Sequence, residues 1–469
     1  MTGSNSFWFA NTGLPFYNEQ VTTSLRFPND GRAMTRAYGT GATSNTTMSF
    51  GGWLKYTREN YASVFSATLG GSGVPQSYFA INDDEKLLFQ SYTGSADVFK
   101  YISTQVFRDQ GAWYHFWFQI DTTDGTAGDR VKIYVNGVRI TAFDTATNPS
   151  SSATVIGFSQ NYTHYFGHTN GTYGVQGYLA DWWYLDGQDI SPVDTVGEFK
   201  NGIFIPKEYS SPTFGNKGWH LEFKQTGTSA NSSGIGADTS GNDNHWTVSG
   251  FGAEDSAFVD SPENNFATLN PLIKPHTALE YLEGNLKITR GSGDYSFAMS
   301  TLAVKTGKWY AELRPQGTIT SNNHMVGICI TNVKDQSSGD PYLQNGQINY
   351  VALGNGHVDD GGSINASTFS GSTSFGAGDI VGVALDLDSS TRTVKFYKNN
   401  SLVNTSSYGN LSSEFDGEHI GFMSILYGTN TCMWNFGQDS TFANQISQGG
   451  NADENGIGDF KYSPPSGYL

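Results

Sequence analysis

Apolar and polar residues alternate with a period of two along most of the chain, the pattern of half-buried β-strands. In "AWYHFWFQID", Tyr114, Phe116, Phe118 and Ile120 fall on one face and Trp113, His115, Trp117 and Gln119 on the other. "DRVKIYVNGVRIT" reads as a hairpin: Val131, Ile133 and Val135 point one way, and Asn136-Gly137 supplies the positive φ angles of a two-residue turn. Short strands recur in "TMSFGGWLKY", "ASVFSAT", "KLLFQS" and "VFKYIS", and "VQGYLADWWYLDG" closes this first set. A second set begins near Pro271 with "GKWYAELR" and continues through "HMVGICIT", "DIVGVALDLD", "RTVKFYKNNSLV" and "TCMWNFG". Residues 206–270 differ, with Pro, Gly, Ser and Asn clusters around two short apolar runs, "GWHLEF" and "HWTVSGF". No amphipathic pattern longer than two helical turns is visible. The expected fold is all-β: two antiparallel β-sandwiches, residues 1–205 and 271–469, the second with a C-terminal extension. Residues 206–270 are expected to form a turn-rich connector with a short hairpin of its own.

Composition narrows the function classes. Charged residues make up 15% and aromatics 14% of the chain, and glycines number 57. That balance argues against disorder, which needs high charge and few aromatics, and against long solvated helices. A net charge of −17 argues against a phosphate backbone as partner, because Lys and Arg must displace its counterions. Neutral or positively charged partners fit better. No apolar run approaches the length of a membrane span, so no membrane insertion is expected. The start "MTGSNSFWFANTG" has neither the basic nor the apolar region of a secretory signal, and Cys329 and Cys432 lie in apolar strand-like runs. A chain made in a reducing cytoplasm, with buried free thiols, is expected.

Candidate chemistry is sparse. "DTSGNDNHWT" spaces Asp238, Ser240, Asn242 and Asn244 like the ligands of a calcium loop. Counted from Asp238, however, the sixth position is Asp243 rather than Gly and the twelfth is Ser249 rather than Glu. A looser site using Asp238, Asn242 and carbonyls would hold a structural calcium ion; no other cofactor is expected. Asx-turns explain the same residues more simply. His164 and His168 on a strand would stand roughly 13 Å apart, too far to share a metal. Asp386 and Asp388 share a strand face, and Glu414, Asp416 and Glu418 form a Glu-x-Asp-x-Glu, but both sets stand at turns. No catalytic residue is assigned. The best binding signal is aromatic: Tyr162, Tyr165 and Tyr173 lie among Asn, Thr and Gly in "SQNYTHYFGHTNGTYG". Trp182 and Trp183 join them as candidate ligand-binding residues. Neighbours on a strand point to opposite faces, so both indoles can be buried only if both sheet faces are covered.

Two family resemblances follow from these fragments taken in order. "SLRFPNDG", "FGGWLKYT", "AWYHFWFQID", "VKIYVNGVRI" and "GYLADWWYLDGQDISP" resemble successive strands of a laminin-G/concanavalin-like jelly roll, over about residues 20–205. "GKWYAELR", "VGICI", "GDIVGVALDLDSSTRTVKFYKNN" and "WNFGQ" resemble a SPRY domain, over about residues 280–440. With "FIPKEYSSPTFG", "DTSGNDNHWT", "DSPENNFATLNPL" and "ENGIGDFKYSPPSGYL", the combination resembles structural proteins of tailed bacteriophages, including those of marine phages. That resemblance implies a non-enzymatic virion protein, a tail fibre or capsid-attached adhesin, assembled in the host cytoplasm. Its implied partners are other virion proteins and a host-surface glycan or receptor protein, as a homo-oligomer, with a trimer as the expectation. It also implies continuation beyond Leu469. Two alternatives stay open: an architectural subunit docking onto neighbouring virion proteins, and a surface-polysaccharide hydrolase. Many laminin-G-like domains bind calcium at the rim, but no residue of that site transfers here.

Overall fold

The computed structural model describes residues 16–469 apart from 18–19, 29–30, 40, 58–60, 70–73, 159–160, 168–173, 194, 274–278, 292, 294, 318, 320–323, 332–345, 353–357, 360–363, 366–373, 404–407, 410 and 412–414. The chain divides into two compact units, Met1–Asn265 and Phe266–Leu469. Both are built from antiparallel strands, numbered below in chain order. There is no α-helix among the described residues, hence none long and apolar enough to cross a membrane.

The first unit stacks two sheets. One runs in the order β1 (Leu25–Phe27), β13 (Gly177–Asp186), β3 (Thr47–Tyr56), β8 (Tyr114–Asp121), β9 (Val131–Val135) and β10 (Val138–Ile140), with β16 (Trp219–Leu221) also on β13. The other has eight strands: β11 (Phe143–Thr147), β7 (Asp97–Val106), β6 (Lys86–Tyr92), β5 (Gln76–Ile81), β4 (Ala62–Thr68), β12 (Thr163–Phe166), β2 (Ala33–Ala37) and β17 (Thr247–Ser249). A separate hairpin pairs β14 (Gly197–Lys200) with β15 (Ile203–Pro206). Between β9 and β10, Asn136 and Gly137 take φ of 47° and 74°, the turn their sequence predicts. Phenylalanines fill the space between the sheets. Phe50 meets Phe65 and Phe89 of the opposite sheet at centroid distances of 5.3 and 5.6 Å, and Phe79 meets Phe116 and Phe118 at 5.0 and 4.9 Å.

The outer face of the seven-stranded sheet is covered by residues that follow β13. Phe204 lies on Trp53 and His115, Phe258 lies near Tyr178, and Tyr209 and Phe214 lie on Trp183. Two enclosed ion pairs hold the same cover: Arg26 with Asp255 at 3.3 Å and Lys55 with Asp260 at 2.8 Å.

Residues 206–265 are thus part of the first unit, and the two apolar runs form no hairpin with each other. β16 pairs with β13 in one sheet and β17 with β2 in the other. Trp219, Leu221, Phe223, Ile235 and Trp246 are buried in the main core. Two three-residue strands cannot bury two indoles between themselves, so both indoles go to the largest core within reach.

The second unit is also a sandwich. Its larger sheet runs β18 (Glu280–Leu282), β19 (Lys287–Thr289), β31 (Asn430–Asn435), β21 (Lys308–Gly317), β26 (Val381–Asp386), β27 (Thr393–Lys398) and β28 (Ser401–Leu402), with β29 (Tyr408–Gly409) also on β27. The smaller runs β20 (Tyr295–Met299), β30 (Ile420–Tyr427), β22 (His324–Ile330) and β23 (Gln347–Val351), and β24 (Val358–Asp359) pairs with β25 (Ile364–Asn365). The sheets meet through Tyr350 and Phe396 and through Phe422 and Trp434, whose Nε1 donates to Ser424 Oγ at 3.2 Å. The chain end lies along β21: Leu469 N donates to Lys308 O and Tyr310 N to Leu469 O.

Candidate binding face

On the eight-stranded sheet, side chains at odd steps from the core residues point away from the sandwich. In β12, His164 and Phe166 are buried while Thr163 and Tyr165 are half-buried; in β5, Phe79 and Ile81 are buried beside half-buried Tyr78. Strand register brings the outward residues into rows. One row crosses all eight strands as Thr247, Thr35, Tyr165, Ser66, Tyr78, Gln90, Lys100 and Thr147. A second, parallel row runs Ala37, Thr163, Thr68, Gln76, Tyr92 and Asp97. A third is apolar at its centre, with Ala80, Leu88 and Ile102.

Neighbouring strands are about 4.8 Å apart, so Tyr165 and Tyr78 stand about 10 Å apart with Ser66 between them. Ser66 is buried there and its Oγ has no hydrogen-bond partner. Tyr78 OH donates to Gln90 Oε1, and Gln90 Nε2 donates to Asp97 Oδ1, so the amide is held in one orientation. Burial raises the Tyr78 pKa further above neutral, so its hydroxyl stays protonated. The face therefore offers half-buried phenol rings, an oriented amide, hydroxyls and the Lys100 ammonium on a rigid sheet. Such a set recognises a ligand carrying both apolar and hydroxyl surface.

Of the aromatic residues singled out in the sequence that are described, only Tyr165 falls on this face. Tyr162 is buried, and its carbonyl accepts the Tyr38 N–H at 3.2 Å. Tyr173 lies outside the described residues. Trp182 is wholly enclosed in the main core, with Nε1 donating to Trp53 O at 2.9 Å. Trp183 points the opposite way and is stacked on His220 at 3.5 Å and near-parallel to Phe214 at 5.8 Å. Both indoles are buried because both sheet faces are covered, so neither offers a ring face to a ligand. Tyr78, Gln90 and Lys100 were missed, although the alternation in "QSYFAI" and "KLLFQSY" places Tyr78 and Gln90 opposite core phenylalanines.

The loop at Asp238 does not fit a calcium ion. Asp238 Oδ1 accepts the N–H of His220 and of Ser240 at 2.9 Å each; Oδ2 accepts Ser240 Oγ at 2.7 Å and Asn244 N at 2.9 Å. Asn242 Nδ2 donates to Gly215 O at 2.7 Å and Gly218 O at 3.0 Å. Every carboxylate lone pair already faces a donor, and Asn242 presents N–H groups to the very carbonyls a cation would need. The carboxylate organises the loop. Among the described residues no three His, Cys, Asp or Glu side chains converge on a metal position.

His164 is enclosed by Tyr38, Phe65, Phe158 and Tyr184, and His168 is outside the described residues. Asp386 accepts Asp388 N, Ser389 N and Ser389 Oγ, and Asp388 accepts Gly307 N, so both carboxylates are turn-forming groups. Asp416 pairs with Arg392, and Glu414 lies outside the described residues.

Residues 28–181 match the concanavalin A-like lectin/glucanases superfamily. That span contains every residue of the polar row except Thr247. No curated protein sequence matches the chain. Among solved structures the chain is similar to the SPRY domain of human HERC1, at 17% identity over 35% of this chain and 93% of that one, with a TM-score of 0.27. It is similar to the PSpry domain of TRIM65, at 11% identity over 36% and 88%, TM-score 0.28. It is also similar to a heptameric SAP-like pentraxin from Limulus polyphemus, at 16% identity over 41% and 91%, TM-score 0.29.

Proposed function

We propose that the chain is a non-catalytic binding protein that takes a neutral glycan on the outward face of the eight-stranded sheet. The row Tyr165, Ser66, Tyr78, Gln90 and Lys100 carries this reading, because phenol rings pack on the C–H faces of a sugar while the amide and hydroxyls meet its O–H groups. The match of residues 28–181 to a lectin and glucanase superfamily supports it. The sequence resemblance supports the setting: a tailed-phage virion, with the glycan on the host surface. Binding of purified full-length protein to host cells and to an array of neutral glycans tests the site. Tyr165→Ala and Tyr78→Ala are each expected to weaken binding by about tenfold or more while the melting temperature stays within a few degrees. Undiminished binding in both variants removes this face from the reading.

A second reading, an architectural subunit docking onto neighbouring virion proteins, is favoured by one feature. Val138 and Phe199 are 58% and 46% exposed, and both flank Gly137 at the tip of the β9–β10 hairpin. Loss of particle incorporation in Phe199→Ser, with cell binding intact, would support it.

A further inference from the structure

Beneath the cover of the seven-stranded sheet, a lysine of β3 meets two side chains from the end of the first unit. Lys55 on β3 is fully enclosed. Its Nζ donates to Asp260 Oδ2 at 2.8 Å and to Asn265 Oδ1 at 2.9 Å. Asp260 is also fully enclosed, and its Oδ1 accepts Trp113 Nε1 at 3.1 Å. The Tyr178 ring lies 5.5 Å from the ammonium. Asn265 is exposed at the mouth of this site, yet its amide is fixed at both ends, because Nδ2 donates to Gly111 O at 2.9 Å.

An amine held against an amide oxygen, with a carboxylate beside it and aromatic walls around it, is a reactive arrangement. The Asn265 carbonyl carbon lies one bond of about 1.23 Å beyond Oδ1, so it is within about 4 Å of Nζ. Attack needs about 3–3.5 Å, a further approach of roughly half an ångström or more. We propose that Lys55 and Asn265 join in an isopeptide bond, with Asp260 as the proton relay.

The atoms balance without any other reactant. Lys55 passes one ammonium proton to Asp260, and burial, which lowers the Lys55 pKa, favours that neutral pair. The free amine attacks Asn265 Cγ, forming the Nζ–Cγ bond, and the carbonyl electrons move onto Oδ1. Asp260 protonates the departing NH2 group and takes a second proton from Nζ. The Cγ–Nδ2 bond breaks and ammonia leaves through the exposed mouth. Of the three ammonium protons, one stays on the new amide, one leaves in the ammonia and one remains on Asp260, which ends neutral. The enclosed ion pair is replaced by a neutral amide and a neutral acid, which cost less to keep away from water.

The bond would join residues 210 positions apart, tying β3 to the last residue of the first unit. A pull transmitted along the chain at Phe266 would then load a covalent bond instead of the hydrogen bonds of the cover.

The test is mass spectrometry of the purified full-length chain under denaturing conditions. The expected mass is that of the sequence less one ammonia, with digestion yielding a branched peptide that joins Lys55 to Asn265. Lys55→Arg keeps a cation beside Asp260 but cannot form the bond, and Asp260→Asn removes the relay; both are expected to restore the full sequence mass. Folded wild-type protein at the full sequence mass overturns the proposal. So does an ammonia loss that persists in Lys55→Arg, since succinimide formation at an Asn-Gly step would explain it.

Discussion

His115, His164 and His324 are fully enclosed, and burial pushes the pKa of each down to about 3. For His164 the enclosure is aromatic: Nδ1 has no partner, and Nε2 faces Gly157 O at 3.4 Å, so the ring is neutral with its proton on Nε2. The consequence for stability has a definite sign. Below the ordinary value of 6.5 the unfolded chain takes up a proton that the folded chain refuses until about pH 3. Stability present in full above pH 6.5 is therefore lost as the pH falls, by about 1.4 kcal/mol per pH unit for each such histidine. Phenylalanine would keep an aromatic ring against Phe65, Phe158 and Tyr184 and does not titrate. In His164→Phe, the melting temperature of the first unit is expected to fall less steeply than in wild type as the pH drops from 6.5 toward about 4. Parallel curves for the two proteins would mean that His164 is protonated in the folded state.

At the scale of elements, the decisive segment is 206–265. Its short strands add one edge to each sheet of the first sandwich, and Trp219 and Trp246 meet edge-to-face at 5.3 Å inside the shared core. A fragment ending at residue 265 is expected to melt cooperatively, whereas one ending at 205 leaves the core open where those indoles belong. Burying a Trp contributes several kcal/mol, comparable to the whole stability of a domain, so the shorter fragment is expected to show no cooperative transition by circular dichroism. A sharp transition in it would make 206–265 an accessory.

The contrast explains what the sequence discloses. Strand alternation and the Asn136-Gly137 turn are local patterns, and both read directly. The opposed directions of Trp182 and Trp183, and hence the need for two covered faces, also read directly. Which segment supplies the cover does not, because pairing of Trp219–Leu221 with Trp182–Tyr184 joins residues nearly forty positions apart through three-residue strands that carry little periodic signal. The outward row is similar. Alternation points Tyr165 outward, but register alone brings Tyr78, Gln90 and Lys100 beside it from strands far back in the chain. Trp182 looked like a binding residue for the same reason: a large aromatic near polar loops reads alike whether its face is free or packed.

At the scale of the molecule, charge separates the readings of function. The chain carries a net charge of −17, while the central part of the row, from Tyr165 to Lys100, has one cation and no carboxylate. A neutral glycan held by ring packing and hydrogen bonds releases no counterions. Its affinity is therefore expected to change little between about 50 and 500 mM salt. A basic docking partner would instead be drawn in by the acidic field, with affinity and association rate falling steeply as salt is added. An anionic partner would show the opposite trend, because screening relieves its repulsion from the chain. Titrating salt in a binding assay with the full-length protein thus discriminates among partners before any of them is identified. A flat response that Tyr165→Ala and Tyr78→Ala abolish together with binding is the outcome expected of a glycan on the outward face. A steep decline that is indifferent to both variants assigns the interaction to a protein surface elsewhere on the chain.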